Sequence, residues 1–600
     1  MPKLWTWTFL PRLLVASSIV FTPVDSRRAL SERQSDVSVV SGIAWRDAKG
    51  NVPVRHEVRN LKDNHPDQWN LYLLALDRLQ WQDQTGPLSY YGLASIHGRP
   101  FRTWGNAPGL DHKIGTSGYC PHNNILFLGW HRPYLALFEE QLYKGVHWFA
   151  ERAPEDQLER YRSAANEFRM PYWDWAKGDS GVPDFFTWEY ISVTRPDGTS
   201  DNIWNPLYTY YFHPVIPDDF DSKWIYLNGT QRWPSSDEIN STSNQARMLS
   251  NYEEQKGPLL DQVDLSFRQD TVNKFANTLE QGHGWVHGII GGGYVDGTFK
   301  GHMWPLEYSA YEPLFMLHHT NVDRLFAMYQ AAHPDRNFAP ANIGDSGNVW
   351  LENGQTVDAD TPLLPFRKSS GGFWTTNDAR NTTTFGYTYP ETIKTSEKSE
   401  EDYEEEVVAA IATMYSSTAR AMLNAKTAPA GGSALLVSDG TFTDWNIDAT
   451  ATTSHLPPTF VVRFSLVGDF SSDKPVDVGT WTRLMPTSHT HSGLNDLASS
   501  TEAPYEGRIS LTATLIDRVV AGQLTSLNAS DVVPYLKDKL TWKVYGDNGQ
   551  LPQSSLSALT FQVVSNAARI PDDPAKPIVY STDIVLHPEV TIGKAGGVAA

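Results

Sequence analysis

The chain reads Leu-Glu-Gln-Gly-His-Gly-Trp-Val-His from Leu279 to His287, and this stretch is its strongest structural signal. Its two histidines are four residues apart, so on a helix they project from the same face, as a shared metal ion requires. A zinc protease of the H-E-x-x-H type needs a glutamate directly after the first histidine to activate water. Gly284 stands there instead. The stretch therefore predicts a histidine-ligated metal site without that general base.

A second histidine-rich stretch follows on a predicted helix. Residues 312–324 read Glu-Pro-Leu-Phe-Met-Leu-His-His-Thr-Asn-Val-Asp-Arg. Three more histidines stand earlier in short motifs: His97 in Ile-His-Gly, His122 in Cys-Pro-His and His131 in Gly-Trp-His-Arg-Pro. All-imidazole ligation without thiolate pairs or clustered carboxylates favours copper, which also heads the divalent affinity series. Two three-histidine groups that face each other could hold two copper ions and O₂ between them.

Together these motifs resemble the type 3 dicopper proteins, and most closely the fungal tyrosinases, over nearly the whole chain. The resemblance implies a mainly α catalytic domain, a four-helix bundle that carries the dicopper site, followed by a β-sandwich C-terminal domain. It implies two copper ions as the cofactor of an enzyme that oxidises o-diphenols to o-quinones with O₂ and hydroxylates monophenols at the ortho position. The implied ligands are His97, His122 and His131 for the first copper, and His283, His287 and His319 for the second.

Three further residues match the family's site. Cys120, the only cysteine, lies two residues before His122, where fungal members form a thioether to the ring of that ligand. An inert buried thiol is the alternative. Phe315 lies one turn before His319 and resembles the aromatic that packs over the second copper, although core packing alone would explain it. Glu280 matches the acidic residue that orients a water molecule near the coppers.

Other residues of these motifs are interpreted as structural. In the family the second histidine of the adjacent pair is the ligand, so His318 is predicted to be a packed or hydrogen-bonded neighbour. Asp323-Arg324, and Arg55 with Tyr387-Thr388-Tyr389, resemble family features that hold the fold together or orient a ligand. His112, His302, His489 and His491 carry no ligand pattern and are interpreted as structural or exposed.

One departure from the family concerns monophenols. Many efficient tyrosinases carry Asn or Asp directly after the first histidine of the second site, where it helps to hold a water that deprotonates monophenols. This chain has Gly284 there, and Gly288 follows the next ligand. Neither position offers a polar side chain, so a catechol oxidase without monophenol hydroxylation is the alternative function. Gly284 is then interpreted as widening the pocket for a bulky phenol.

Apolar periodicity divides the chain into two folded parts. Residues 40–391 are dense in Trp, Tyr and His with helical spacing, and we assign them to the catalytic domain. Residues 392–455, with an acidic run and a Gly/Ala/Pro-rich segment, are assigned to a linker with one helix (Val407–Leu423) and a candidate processing site. Alternating β-branched stretches such as Arg508–Leu515 predict a β-rich domain over residues 456–600. In long fungal tyrosinases this domain shields the active-site mouth until proteolysis.

Composition and the N-terminal segment restrict partners and location. Asp+Glu (69) exceed Lys+Arg (49), and the resulting net charge of −20 disfavours nucleic acid and anionic membranes as partners. Residues 1–29 resemble a signal peptide whose apolar run is too short to span a bilayer. Secretion is therefore predicted, with an intracellular latent proenzyme as the alternative. The sequons that fit a glycosylated route are at Asn228, Asn240, Asn381 and Asn528.

The predicted partners are O₂, phenolic small molecules and an activating protease. The physiological phenol and the oligomeric state stay open. A haemocyanin-like O₂ carrier is the alternative from another class, because it shares the dicopper site and a β-rich C-terminal domain. Such carriers usually consist of repeated units, whereas this sequence shows no internal repeat. Retention of all six histidines argues against a metal-free relative.

Overall fold

Two hydrophobic cores organise the chain. The computed structural model describes residues 39–599 except 178–180, 296–297, 396, 416–439, 469–474, 487–503, 547–548, 572 and 574–575. The first core takes its residues from Val40 to Tyr415, with Val461, Leu484 and Tyr545 packed onto it. The second core lies between Phe442 and Val590. The predicted signal peptide, residues 1–29, lies outside the described residues, as do His489 and His491.

The first core is mainly helical and the second is mainly β. The described helices are α1 (Val58–Asn64), α2 (Pro66–Gln80), α3 (Tyr90–His97), α4 (Leu126–Ala150), α5 (Leu158–Glu167), α6 (Gln245–Phe267), α7 (Val272–Gly291), α8 (Leu306–Ser309), α9 (Leu314–Ala332), α10 (Glu400–Tyr415), α11 (Thr512–Val520) and α12 (Ala529–Lys539). The described strands of the helical part are β1 (Tyr190–Thr194), β2 (Ser200–Trp204), β3 (Ala341–Asn342) and β4 (Thr356–Val357). Those of the β part are β5 (Thr441–Ala451), β6 (Phe460–Leu466), β7 (Val476–Arg483), β8 (Tyr505–Ser510), β9 (Leu540–Gly546), β10 (Gly549–Gln550), β11 (Leu559–Arg569), β12 (Val579–Tyr580) and β13 (Val585–His587).

Four helices form the bundle that carries the histidines. α2 packs on α4, α4 packs on α9, and α7 contacts both α4 and α9. Local sequence sets where α7 begins and ends. The Thr271 side chain accepts a hydrogen bond from the Lys274 N–H at its start, and Gly292 follows its last turn with a φ of 74°. The predicted helical catalytic domain with a four-helix bundle is confirmed.

The C-terminal domain is a sandwich of two antiparallel sheets. One has the strand order β10-β9-β6-β7, and the other has the order β12-β11-β5-β8, with β13 also paired to β11. Their inner faces meet through aromatic rings, for example Phe464 and Phe561 with centroids 5.0 Å apart. The second half of β7 is buried on both faces. The second sheet covers one face, and α6 and α7 cover the other. The predicted β-sandwich is confirmed.

The segment assigned to a linker contains parts of both domains. α10 packs on α9 and buries Val407 and Tyr415 in the first core. It starts earlier than predicted, with three acidic residues in its first turn, where the helix dipole favours negative charge. β5 pairs along its whole length with β11 in the second core, so Thr441–Ala451 belong to this domain and not to the linker. The predicted Gly/Ala/Pro-rich joint lies outside the described residues.

The predicted strand Arg508–Leu515 is confirmed only in its first residues and is wrong from Thr512 onward. β8 ends at Ser510, and α11 begins at Thr512. Leu515 and Ile516 of α11 are buried in the second core, and the same apolar spacing fits a short helix as well as a strand, so packing against β5 decides between them. Among the described residues, no helix is both long and apolar enough to cross a membrane.

Candidate metal centre

The first histidine group forms where α3 ends and α4 begins. His97 is the last residue of α3, His131 lies in α4, and Cys120 and His122 lie in the segment that leads into α4. All four side chains are buried, and their ligand atoms lie within 4.8 Å of one another. The His122 Nε2 atom is 3.0 Å from the Cys120 sulfur and 3.5 Å from the His97 Nε2 atom.

The second group joins α7 to α9. His283 and His287 lie one turn apart on α7, and their Nε2 atoms are 3.0 Å apart. His318 and His319 are adjacent on α9, and the ligand atoms of all four residues again lie within 4.8 Å of one another. The four side chains are buried. The structure therefore brings together every histidine that the sequence predicted as a ligand, and it adds His318 to the second group.

The two groups face each other. The rings of His131 and His319 stack with centroids 4.1 Å apart and an angle of 12°. The rings of His122 and His283 stack at 5.6 Å. His319 thus lies between the groups, whereas the ring contacts described for His318 are with Trp175 and with histidines of its own group.

Backbone carbonyls orient four of the rings. A carbonyl oxygen only accepts hydrogen bonds, so each Nδ1 carries the proton and each Nε2 presents a lone pair to the middle of its group. The Nδ1–carbonyl distances are 3.0 Å for His97 to Leu306, 2.8 Å for His131 to Phe127, 3.2 Å for His283 to Glu280 and 2.6 Å for His287 to Met303.

The donor set fits two copper ions. Burial lowers the pKa of every histidine in both groups, so the imidazoles are neutral, as metal ligation requires. Neither His318 nor His319 has a hydrogen-bond partner for its ring nitrogens among the described residues, although both side chains are fully buried. Buried polar atoms without partners are costly, and a metal ion bound in this group would remove that cost for the histidine that ligates it.

Glu280 lies beside the first group although it belongs to α7. Its carboxylate accepts hydrogen bonds from the Asn123 N–H (2.7 Å) and from His122 Nδ1 (3.1 Å). Burial raises the pKa of Glu280 to about 8, while the Asn123 hydrogen bond and the charge of Arg483 act in the opposite direction. A bound cation would also lower this pKa. Glu280 therefore holds the His122 ring in place from the far side of the bundle.

Two phenylalanines line the space between the groups. The ring of Phe315, which the sequence predicted, lies 4.3 Å from that of His319 and 4.8 Å from that of His97. Phe127, which the sequence reasoning missed, lies 4.8 Å from His131 and 4.7 Å from His283. Each phenylalanine precedes a histidine of its own helix by four residues, and this repeated spacing is the signal that could have found Phe127.

A buried polar network stands directly behind the site. The Asp323 carboxylate accepts from Arg132 Nε, Tyr387 OH and Tyr389 OH, each at 2.6 Å, and lies 3.4 Å from Arg55. Burial alone would raise the pKa of Asp323, but the two arginines and the two hydroxyls lower it below its usual range. The structural role predicted for Arg55 and the two tyrosines is consistent with these contacts.

Arg324 binds other partners than its neighbour Asp323. Its guanidinium pairs with Asp174 (3.1 Å) and Glu391 (2.6 Å) and donates to the Tyr415 hydroxyl (2.7 Å). Arg324 therefore fixes α10 to the catalytic domain. His302 and His112, which carry no ligand pattern, have other partners: buried His302 accepts from the Gln231 N–H, and exposed His112 lies beside Glu352.

Residues of the C-terminal domain lie beside the first histidine group, and no sequence signal pointed to them. Met485 and Pro486, which follow β7, line a cavity together with His97, Cys120 and His122. The Asn123 side chain donates to the Leu484 carbonyl oxygen at 2.8 Å. The cavity measures ≈ 10 Å³, room for about one water molecule and far too small for a phenol.

The space beside Gly284 is also filled. A Cβ atom at this position would lie 2.6 Å from the Thr482 hydroxyl oxygen and 3.3 Å from a methyl group of Leu484. The interpretation that Gly284 widens the pocket is therefore wrong for the intact chain, because the C-terminal domain occupies that space.

Comparison with known proteins identifies the family. Residues 87–332 match the family model for the common central domain of tyrosinase, and residues 444–563 match the one for the tyrosinase C-terminal domain. A tyrosinase of Neurospora crassa is 30% identical to the chain, over 92% of this chain and 96% of its own length. The chain belongs to the tyrosinase family. Its cofactor is a pair of copper ions, which the two histidine groups fit.

Other relatives agree with this assignment. A tyrosinase of Podospora anserina is 38% identical over 61% of this chain and 67% of its own length. In structure, the chain resembles latent and active mushroom tyrosinase (TM-score 0.77, 23% identity, 92% of this chain and 99% of that one). It also resembles the pro-tyrosinase of Aspergillus oryzae (TM-score 0.67, 18% identity, 91% and 97%). These two likenesses concern the fold alone.

A haemocyanin also matches, over a smaller part of the chain. Hemocyanin 2 of Megathura crenulata is 26% identical over 52% of this chain and 8% of its own length. The tyrosinase of Neurospora crassa, in contrast, matches nearly from end to end. The chain is accordingly an enzyme of the tyrosinase and polyphenol oxidase type.

Proposed function

We propose that this tyrosinase oxidises o-diphenols to o-quinones with O₂ and hydroxylates monophenols at the ortho position more slowly. The observation that supports it is the facing arrangement of two buried groups of neutral imidazoles. The proposed ligands are His97, His122 and His131 for one copper, and His283, His287 and His319 for the other.

The chain's own residues position the reactants. When bound, the copper pair supplies the binding and reduction of O₂. The carbonyl-bound Nδ1 atoms keep each ring in one tautomer and orientation. Phe127 and Phe315 keep water away from the space between the groups and offer ring faces to an aromatic substrate. Glu280 is the one carboxylate that contacts a ligand ring among the described residues, and we propose that it holds the water that deprotonates a monophenol.

The test compares the two substrate classes. The copper-loaded chain is cleaved by limited proteolysis, and initial O₂ consumption is measured with a monophenol and with the matching o-diphenol. We expect rapid turnover of the diphenol and slower turnover of the monophenol, because Gly284 offers no side chain to help Glu280 hold a water. Turnover of the diphenol alone would favour a catechol oxidase. No consumption of O₂ with either substrate, despite two bound coppers, would contradict the proposal.

We also propose a thioether between Cys120 and the ring of His122. The sulfur lies 3.0 Å from the nearest ring nitrogen of His122, and burial raises the pKa of the thiol, so it is not a free thiolate. Forming the sulfur–carbon bond removes the S–H hydrogen and one ring C–H hydrogen, and these two electrons and two protons reduce one O₂ to H₂O₂.

Mass spectrometry tests this bond. In copper-loaded protein exposed to O₂, we expect the peptide with Cys120 and His122 to be lighter by two hydrogen atoms and to resist thiol alkylation. The same peptide of the Cys120→Ser variant should keep the full mass of its sequence, with no loss of two hydrogen atoms, while the variant still binds two coppers. A fully alkylated thiol in active wild-type enzyme would contradict the proposal.

We propose that the intact chain is latent. Met485 and Pro486 line a cavity beside His97 and His122 of the first group, and the space left there holds about one water molecule. An activating protease would cut between Tyr415 and Thr441, where the catalytic and C-terminal cores are joined. We expect limited trypsin treatment to raise diphenol turnover severalfold. Equal turnover before and after cleavage would show that the intact chain is not latent.

Secretion is proposed on the signal-like residues 1–29 and on the sequons. All four sequon asparagines are exposed at the surface. N-terminal sequencing of the protein from its native source, together with glycosidase treatment, tests this location. A retained N-terminus without glycan would favour the intracellular proenzyme.

A further inference from the structure

The ligand helix α7 has a second, outward face that contacts the C-terminal domain. Asn277, Gln281 and Gly284 lie on this face at spacings of four and three residues. The side-chain amides of Asn277 and Gln281 both donate to the backbone oxygen of Glu506, at 3.0 and 2.9 Å. The Thr482 hydroxyl donates to the Gln281 carbonyl oxygen at 3.0 Å. The helix that carries His283 and His287 therefore also packs against β7 and β8.

The close approach at Gly284 depends on its lack of a side chain. An added Cβ would lie 2.6 Å from the Thr482 hydroxyl oxygen and 3.3 and 3.4 Å from two carbons of Leu484. The first distance is shorter than real Cβ contacts allow, so β7 or its side chains would have to move away from α7. Thr482 cannot simply turn aside, because its hydroxyl is bonded to Gln281 and its side chain is buried.

We propose that Gly284 is the docking position of the C-terminal domain, and that its missing side chain is what lets β7 close over α7. This inference rests on the proposed latency. The position directly follows His283 and faces β7, so the side chain that would help to hold a catalytic water there is sterically excluded by the closed domain. The same residue thus favours closure of the intact chain and disfavours monophenol hydroxylation.

Gly282 offers a matched control on the same helix. A Cβ at Gly282 would meet only the Gln262 side chain, at an ordinary 3.5 Å. Replacing either glycine by alanine changes helix propensity equally. The variants Gly284→Ala and Gly282→Ala therefore differ in whether the new methyl group meets the C-terminal domain.

The experiment compares full-length, uncleaved chains. In the copper-loaded form we expect Gly284→Ala to raise diphenol turnover before proteolysis about tenfold. The new methyl group overpacks the closed state, and a typical overpacking cost shifts the equilibrium between closed and open chains by about this factor. Gly282→Ala should stay as latent as the wild type. After proteolysis and removal of the released C-terminal fragment by dilution, all three should converge. In the copper-free form, hydrogen exchange in β7 (Val476–Arg483) should become faster in Gly284→Ala only.

A compensating change sharpens the test. Thr482→Ala removes the atom nearest to the new methyl group, so the double variant Gly284→Ala/Thr482→Ala should be more latent than Gly284→Ala alone. The inference is overturned if Gly284→Ala keeps wild-type latency and wild-type exchange in β7 while proteolysis still activates it. Loss of activity in every form, cleaved wild type included, would instead overturn the proposed function.

Discussion

Replacing His319 by alanine should leave one copper per chain and reduce O₂ consumption with a diphenol below detection. The ring nitrogens of both adjacent histidines lack partners among the described residues, but only His319 stacks on His131 across the site, at 4.1 Å. His318→Asn should keep both coppers and most of the activity, because the ring of His318 lies on the side of the second group that faces Trp175. The two adjacent histidines are therefore expected to behave very differently.

Copper content by atomic absorption and the absorption bands of the oxygenated protein check this expectation. The helices should persist in both variants, since the first core is built from apolar side chains, and circular dichroism verifies that. If His318→Asn loses a copper and His319→Ala keeps both, the ligand assignment on α9 is reversed.

Asp323→Ala should destabilise the catalytic domain by about 3–5 kcal/mol, the usual cost of removing one partner of a buried ion pair. The carboxylate accepts from Arg132, Tyr387 and Tyr389 and lies beside Arg55, and all these side chains are fully or almost fully buried. Without it, Arg132 loses the only carboxylate that it pairs with among the described residues.

The urea midpoint of the catalytic-domain transition, followed by tryptophan fluorescence, measures this loss. Asp323→Asn should lose less, because an amide oxygen still accepts from the tyrosines. The matched control is Glu151→Ala, which breaks an exposed pair with Arg162 and should leave the midpoint unchanged. An Asp323→Ala midpoint equal to that of the control would show that the network does not stabilise the fold.

The dicopper site could be predicted well from the sequence because its ligands stand in short local patterns. His283 and His287 are four residues apart, and a helix alone places them on one face. The resemblance to a known family supplied the remaining ligands, including the choice of His319. Geometry shows an asymmetry between the adjacent histidines that spacing cannot, since only His319 stacks on the opposite group.

The contacts between domains could not be predicted, because they depend on two surfaces that are distant in sequence. Nothing in the residues around Thr482 or Met485 marks them as neighbours of Gly284 or His97. For a similar reason the sequence assigned Thr441–Ala451 to the linker. Only the pairing of β5 with β11 identifies this strand as part of the second core. Local patterns specify helices and strands, but they do not state which ones meet.

The anchoring of α10 by Arg324 has a consequence for what activation produces. A cut between Tyr415 and Thr441 leaves α10 attached to the catalytic body and yields a second body with its own core. Every contact across β7 and α7 survives the cut, so cleavage turns an intramolecular closure into a binding equilibrium between two molecules. Quinone production by the nicked enzyme would then rise on dilution and fall when the released fragment is added back. The released C-terminal domain would then act as a reversible inhibitor whose effect depends on its concentration.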